Sequence, residues 1–294
     1  MNTEKSKHEV CGVVVVDKPA GMTSFDVVAK MRRIYGTRRV GHTGTLDPEA
    51  TGVLVVLVGR AAKAAEYISA GRKVYEASLR LGIETDTEDI WGSVTASCDR
   101  IPTEDEVRGA TAQFVGNIMQ VPPMYSALKR GGVKLVDMAR RGIEIEREPR
   151  PVHVDELWIT PTSSPEEYRM RVSCSPGTYI RTLCADIGCA LGCGGCMSSL
   201  RRVETCGYGI GEARTIGEIE ADPDAALMDV ETLFAGLYNV RVSGADEKKV
   251  KNGMPVKAPH IPDGRVRIHD GDGFFALGEV KDGVLRTVKF FVLD

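Results

Sequence analysis

The sequence predicts an α+β fold: a mixed or antiparallel central sheet with flanking helices, followed by a small β-rich C-terminal domain. Three observations carry this. Several segments alternate apolar and polar residues as half-buried strands do, helical segments fall between them irregularly rather than as βαβ repeats, and beyond Tyr238 the chain reads as short strands separated by glycine turns. At 294 residues, 43% of them hydrophobic, there is ample material for a buried core. A charged fraction of 27% is that of a globular chain and excludes a disordered or fibrous one.

Residues 12–16 form an apolar run fit for a buried strand, closed by turn residues at 17–21. A helix can start at Thr23 or Ser24, with Val27, Val28, Met31, Ile34 and Tyr35 on one side and Gly36 as its stop. A polar, glycine-punctuated loop over 41–48 leads into a second buried strand at 53–58. Residues 72–81 alternate cleanly, with Tyr75, Ala77, Leu79 and Leu81 on one face, and predict a half-buried antiparallel strand. Thr103 and Glu106 are spaced as a capping box that opens a helix, and another helix is expected near 133–141, ended by Gly142. Tyr168, Met170, Val172 and Cys174 alternate as a strand, Pro176-Gly177 turns the chain, and a helix follows from about Tyr179. Residues 216–234 hold six acidic and no basic side chains and predict a helical connector. Strands are expected from Val250 onward and over 266–269, 274–280 and 284–292. The implied organisation is a flexible N-terminus over 1–11, a main domain over 12–215, the acidic connector over 216–234 and a β domain over 235–294.

The 38 Lys and Arg against 41 Asp and Glu leave a formal charge of −3, which excludes a uniformly basic nucleic-acid coat. That average conceals two basic clusters, Lys30, Arg32, Arg33, Arg38, Arg39 and Lys129, Arg130, Lys134, Arg140, Arg141, a local footprint for a polyanion. No apolar run approaches the roughly 18 residues of a membrane span, and the polar N-terminus lacks the core of a secretory signal, so a cytoplasmic protein is expected. Four of the eight cysteines, Cys184, Cys189, Cys193 and Cys196, crowd one stretch in a spacing loosely like a metal-ligand run. No Cys-x2-Cys pair there is matched by a second, and Cys184 falls on the apolar stripe Ile180, Leu183, Cys184, Ile187, Leu191. Packed thiols, not a metal site, are therefore expected.

The loop over 41–48 is the most informative stretch. Its glycines, Gly41 and Gly44, permit unusual backbone angles and close approach of a ligand, and Asp47 sits where a rigid strand begins. Taken alone, Asp47-Pro48 reads as the start of a turn, and the loop lacks the Lys-Ser/Thr of a phosphate-binding P-loop.

Gly41-His42-Thr43-Gly44-Thr45-Leu46-Asp47-Pro48-Glu49-Ala50-Thr51-Gly52-Val53-Leu54 closely resembles the catalytic motif of the TruB family of pseudouridine synthases. Further blocks in family order are Val16-Asp17-Lys18-Pro19 with Gly21-Met22-Thr23-Ser24, Lys73-Val74-Tyr75, Leu81-Gly82 with Thr85-Asp86-Thr87, Gln120-Val121-Pro122-Pro123-Met124-Tyr125-Ser126-Ala127, Gly177-Thr178-Tyr179-Ile180-Arg181 and Leu200-Arg201-Arg202. They span about residues 12–210 and are most similar to the bacterial members that act on uridine 55 of tRNA. The resemblance implies a sheet of the pseudouridine synthase type, a catalytic domain over 12–215 and a PUA-like C-terminal domain.

It also implies roles. Asp47 matches the aspartate that acts as nucleophile while uracil is detached from C1′, rotated and rejoined through C5; a carboxylate needs no activating base at neutral pH and leaves readily. Arg181 matches the arginine paired with it. In the first turn of a helix a cation opposes the dipole, so a site reason for Arg181 outweighs a stability reason. Tyr75 matches the tyrosine that stacks on the target base and can assist proton removal from C5, although by pattern alone it is an inward core aromatic. His42 matches the histidine that occupies the space left by the extruded nucleotide, and Lys18, Tyr179, Leu200 and Arg202 match substrate-binding positions. Ordinary core packing equally explains Leu200. At Pro176, between Ser175 and Gly177, lysine is common in the family, so one phosphate contact is missing here.

The implied partner is the T stem-loop of tRNA, with no cofactor, no metal, no membrane and no obligatory protein partner, and a monomer as the default state. Two other readings remain: a guide-RNA-dependent synthase, disfavoured by the lack of long basic tails, and a tRNA-binding folding chaperone, disfavoured by the intact Asp47, Tyr75 and Arg181.

Overall fold

In the computed structural model, which describes residues 10–68 and 71–292, the four valines at 13–16 form the centre of strand β1 (Gly12–Lys18). Most of the expected flexible N-terminus, residues 1–9, lies outside the described residues. β1 runs on through Asp17 and Lys18, where a turn was expected, because Lys18 pairs with Gly52 and its ammonium finds backbone acceptors inside the protein. Helix α1 (Ser24–Ile34) opens on a reciprocal capping box between Thr23 and Asp26, buries Val27, Val28 and Met31, and gives way to Gly36 at φ +63°. β2 (Val40–His42) and β3 (Thr51–Val58) flank the loop, and a 3-10 helix, Gly59–Glu66, follows.

β4 (Lys73–Leu81) is the expected alternating strand; a small hairpin of β5 (Ile83–Thr85) and β6 (Val94–Ser97) comes next. α2 (Glu104–Ala112) starts from the Thr103–Glu106 capping box. β7 (Gly116–Gln120) precedes a tight hairpin, β8 (Lys129–Arg130) and β9 (Val133–Lys134), turned by Gly131 and Gly132. That hairpin takes residues 133–134, so the helix expected over 133–141 shrinks to α3 (Leu135–Ala139). β10 (Arg150–Pro161), β11 (Glu167–Cys174), α4 (Ile180–Ala190), β12 (Gly195–Thr205) and β13 (Tyr208–Gly209) complete this part.

The main sheet runs β1-β3-β12-β4-β11-β10-β7, with β2 beside β3 and β13 beside β12. Every pairing is antiparallel except β3–β12, which touch in parallel at Thr51↔Arg201 and Gly52↔Arg202, so the sheet is mixed. Tyr75, Ala77, Leu79 and Leu81 share a core with Tyr168, Met170 and Val172 of β11 and with Leu183, Cys184 and Ile187 of α4. Each such buried aliphatic side chain contributes about 1.5–3 kcal/mol, which fixes α4 on one face of the sheet.

The acidic segment folds as α5 (Ile216–Ala221), α6 (Pro223–Ala226) and a 3-10 turn, Val230–Phe234; it buries Ile219 and Ala226 against α1 and β1, and its Met228 exchanges two main-chain hydrogen bonds with Val13. Beyond it lie β14 (Tyr238–Arg241), α7 (Gly244–Lys251), β15 (Val256–Lys257), β16 (Gly264–His269), β17 (Phe274–Lys281) and β18 (Val284–Phe290), the strands forming a five-stranded sheet in the order β14-β16-β17-β18-β15. The strand expected from Val250 is instead the end of α7, whose Asp246–Lys249 and Glu247–Lys251 pairs have helical spacing and whose only buried side chain is Val250. Phe274, Leu277 and Phe291 of this region pack with Phe234 against Val13, Val15, Val53, Val55 and Leu57, so the C-terminal sheet shares a core with the edge of the main sheet. Among the described residues no helix is long and apolar enough to cross a membrane.

Candidate active site

The loop before β3 is held at nearly every residue. The Ser24 hydroxyl accepts from the Leu46 amide (2.9 Å) and donates to the Leu46 carbonyl (3.1 Å), while the Ala50 amide donates to the Asp47 carbonyl (3.2 Å). Lys18, wholly buried, donates to the carbonyls of Pro19 (2.8 Å), Met22 (2.6 Å) and Pro48 (2.8 Å). Arg202, equally buried, donates to those of Val53 (2.8 Å), Gly44 (3.0 Å) and Thr45 (3.4 Å). A buried cation costs several kcal/mol unless its donors are matched, so these two side chains lock the backbone on both sides of Asp47. Gly41 and Gly44 have ordinary φ, and an added Cβ would meet nothing closer than 3.5 Å. The demanding glycine is Gly52, at φ +100° with a Cβ position 2.1 Å from the Arg202 carbonyl oxygen, at the point where β3 and β12 touch.

Arg181 enters from the first turn of α4. Gln120 fixes that turn by donating to the Tyr179 carbonyl (2.9 Å) and accepting from the Tyr179 amide (2.8 Å). The guanidinium, 5% exposed, meets Asp47 side-on: Nε lies 2.9 Å from Oδ2 and Nη2 donates to Oδ1 at 3.3 Å. Its remaining donors reach the carbonyls of Thr87 (2.9 Å) and Tyr125 (2.8 Å), and Asp89 Oδ2 stands 3.8 Å from Nε. Asp89 is oriented by the Thr87 hydroxyl (2.7 Å) and the Trp91 amide (3.2 Å), and burial pushes its carboxyl up against the opposing pull of Thr87 and Arg181. Beside it Glu88, at φ +64°, accepts from the Thr182 hydroxyl of α4 (2.5 Å), tying the loop to the helix that carries Arg181. The permanent cation is thus satisfied by four residues on three loops, and Asp47, its side chain 39% exposed, is the partner that reaches open space.

That space is a cavity of about 560 Å³ lined by Asp47, His42, Tyr75, Tyr179, Arg181 and Leu200. Six of the eight residues singled out in the sequence therefore converge; Lys18 and Arg202 do not line the cavity and sit behind its loop. Burial raises the Tyr75 phenol, with nearby Arg202 opposing, so the ring presents a protonated hydroxyl at neutral pH. Burial lowers His42, Arg202 adds to this, and the imidazole is neutral. Lys73 is lowered by the same two causes, burial first. Lys73 and Arg181 bring cationic groups to the cavity wall, and Arg202 adds a third charge behind the loop.

Phe25, Lys73 and Tyr125, to which no individual role was assigned, also line the cavity, as does Lys134. Phe25 carried a signal: it is the aromatic off the apolar stripe of α1, 65% exposed, with the Arg32 guanidinium 5.5 Å from its ring centre. Lys134 belongs to the second basic cluster, which thereby reaches the rim, with Lys129 and Arg130 exposed on the same hairpin. Cys184, Cys193 and Cys196 are buried whereas Cys189 is exposed; burial raises the Cys196 thiol to about 11. Among the described residues no three His, Cys, Asp or Glu side chains gather to hold a metal ion.

The family described as "TruB family pseudouridylate synthase (N terminal domain)" matches residues 32–180, and "tRNA pseudouridylate synthase B C-terminal domain" matches residues 181–234. A protein of Dechloromonas aromatica named tRNA pseudouridine synthase B is 40% identical over 296 residues, 99% of each chain. One of the same name from Clostridium kluyveri is 40% identical over 96% of this chain and 99% of its own. The solved "Crystal Structure of a Cbf5-Nop10-Gar1 Complex" superposes with a TM-score of 0.72 at 25% identity, covering 96% of this chain and 85% of the other.

Proposed function

The chain belongs to the TruB family of pseudouridylate synthases, and we propose that it converts uridine 55 in the T loop of tRNA to pseudouridine with Asp47 as nucleophile. The observation that carries this is the Asp47 carboxylate, held side-on by buried Arg181 at the open end of a cavity walled by two tyrosines. The target nucleotide leaves its stack to enter the cavity, and His42, neutral and on the loop beside Asp47, fills the space it vacates. Asp47 attacks C1′ as the N1–C1′ bond breaks and uracil leaves as its N1 anion; the base rotates, C5 bonds to C1′ and displaces Asp47 as a carboxylate, and the C5 proton is lost to solvent while N1 takes one up. Tyr75 serves as the stacking wall; burial keeps its phenol protonated, so it is no standing base. Lys18 and Arg202 act through the loop backbone rather than by touching the base. The isomerisation consumes no redox equivalent, phosphate or metal.

The enzyme acts on free tRNA in the cytoplasm as a monomer without a protein partner, a reading supported by relatives of the same length named tRNA pseudouridine synthase B. Residues 12–215 form the catalytic unit, 216–234 the connector and 235–294 a PUA-like unit. Incubation with a T stem-loop RNA followed by pseudouridine mapping tests the proposal. Wild type converts the one uridine and Asp47→Asn converts none; no product from wild type, or equal product from the variant, overturns it.

A further inference from the structure

The face of the main sheet opposite α4 carries a second feature. Across β10, β11, β4 and β12 its outward side chains fall in two cross-strand rows: Trp158, Arg171, Glu76 and Arg201 in one, Thr160, Arg169, Ser78 and Ser199 in the next. The rows line a groove of about 590 Å³, which Trp91 also reaches from the turn before β6. Trp91 and Trp158 are the only tryptophans in the chain, and they are 50% and 67% exposed. Tryptophan is highly buried on average, so a fold that leaves both in water, in one groove, is not using them for its own core. Arg171 makes only an exposed pair with Glu76 (3.0 Å), and Arg169 makes no ion pair among the described residues.

We propose that this groove binds unpaired RNA nucleotides, stacking bases on Trp158 and Trp91 and holding phosphates with Arg169 and Arg171. An open antiparallel sheet that presents aromatic rings beside cations is the arrangement by which single strands are bound. The rest of the lining favours RNA over a protein partner: it is largely charged or hydroxyl-bearing, whereas the centre of a protein interface is depleted of charge. Glu76, between Arg171 and Arg201, supplies an acceptor for an exocyclic amine. Only the premise that this chain meets RNA is shared with the catalytic reading; the groove lies on the other face of the sheet from the Tyr75 side chain.

Because both tryptophans lie here, intrinsic fluorescence of the whole chain reports this groove. Titration with a short unstructured oligoribonucleotide should quench it saturably and less strongly as salt rises, while a blunt RNA duplex at the same concentration should not. By anisotropy of the labelled oligonucleotide, Trp158→Ala and Arg169→Ala, both exposed positions, should each raise Kd at least fivefold, as loss of a stacked base or a phosphate contact requires. Both variants should leave conversion of a T stem-loop unchanged, and Asp47→Asn should bind the oligonucleotide as wild type does, so failure of the catalytic reading leaves this one standing. Absence of quenching, equal quenching by the duplex, or an affinity indifferent to both substitutions overturns the proposal.

Discussion

The two faces of the main sheet use their charges in opposite ways. On the face covered by α4, Arg181 and Arg202 are at most 5% exposed and each donates to three or more named acceptors, and Lys18 at the sheet's β1 edge does the same with three carbonyls. On the open face Arg171 and Glu76 are both 55% exposed and meet in a single contact. The difference is one of solvent. In low dielectric an unmatched donor is expensive, so a buried cation is tolerated only where the backbone surrounds it, and it then pins that backbone in return. In water the same pair is worth about 0–1 kcal/mol and stays adaptable. Preorganisation of Asp47 belongs to the first regime and a versatile binding surface to the second.

The largest break in this contrast is expected from Arg181→Lys. Lysine keeps the charge but cannot span Asp47, Thr87 and Tyr125 together. Turnover of a T stem-loop should fall at least about 100-fold, or about 2.7 kcal/mol of transition-state stabilisation, with RNA affinity changed far less. Single-turnover rates and filter binding separate the two, and turnover within about fivefold of wild type would show that charge alone suffices.

A smaller effect follows from His42, whose pKa burial and Arg202 hold below its ordinary 6.5. As pH falls through 6.5 the unfolded chain takes up a proton that the folded chain refuses, so the stability this group contributes is complete above 6.5 and is lost below it. Urea unfolding between pH 7.5 and 5 should show a steeper loss for wild type than for His42→Phe; identical slopes would mean that the imidazole is better solvated than its burial implies. Smallest of all, Glu76→Gln on the open face should change unfolding free energy by less than about 0.5 kcal/mol, and a loss above about 2 kcal/mol would place that pair in the buried regime.

Much of this was legible in the chain. The helix start at Thr23 or Ser24, the Thr103 capping box, the alternation at Tyr75, Ala77, Leu79 and Leu81 and the stop at Gly36 are local signals, and each of these elements stands within a few residues of its expected place. The conflict at Val250 is also local: a strand was read from apolar residues where helical charge pairs over 246–251 decide the conformation. The family blocks pointed to six residues that line the cavity and to two, Lys18 and Arg202, that lie behind it; they contained Gln120 without giving it a role and did not reach Asp89, because a lone acidic or amide side chain has no pattern until its partner strand or helix is in place.

By itself, then, the sequence determined many of the elements, the inward faces of the alternating strands and the family motif, since periodicity, caps and turns act between residues a few positions apart. Only the tertiary structure decided which cations are sealed and which are open. Lys18 and Arg202 read in the sequence as substrate-binding positions, yet they become the internal supports of the Asp47 loop once β1, β3 and β12 close around them. Trp158 and Arg171 become neighbours only through the register of β10 on β11. Burial and register are set by contacts between residues far apart in sequence, and no local pattern encodes them.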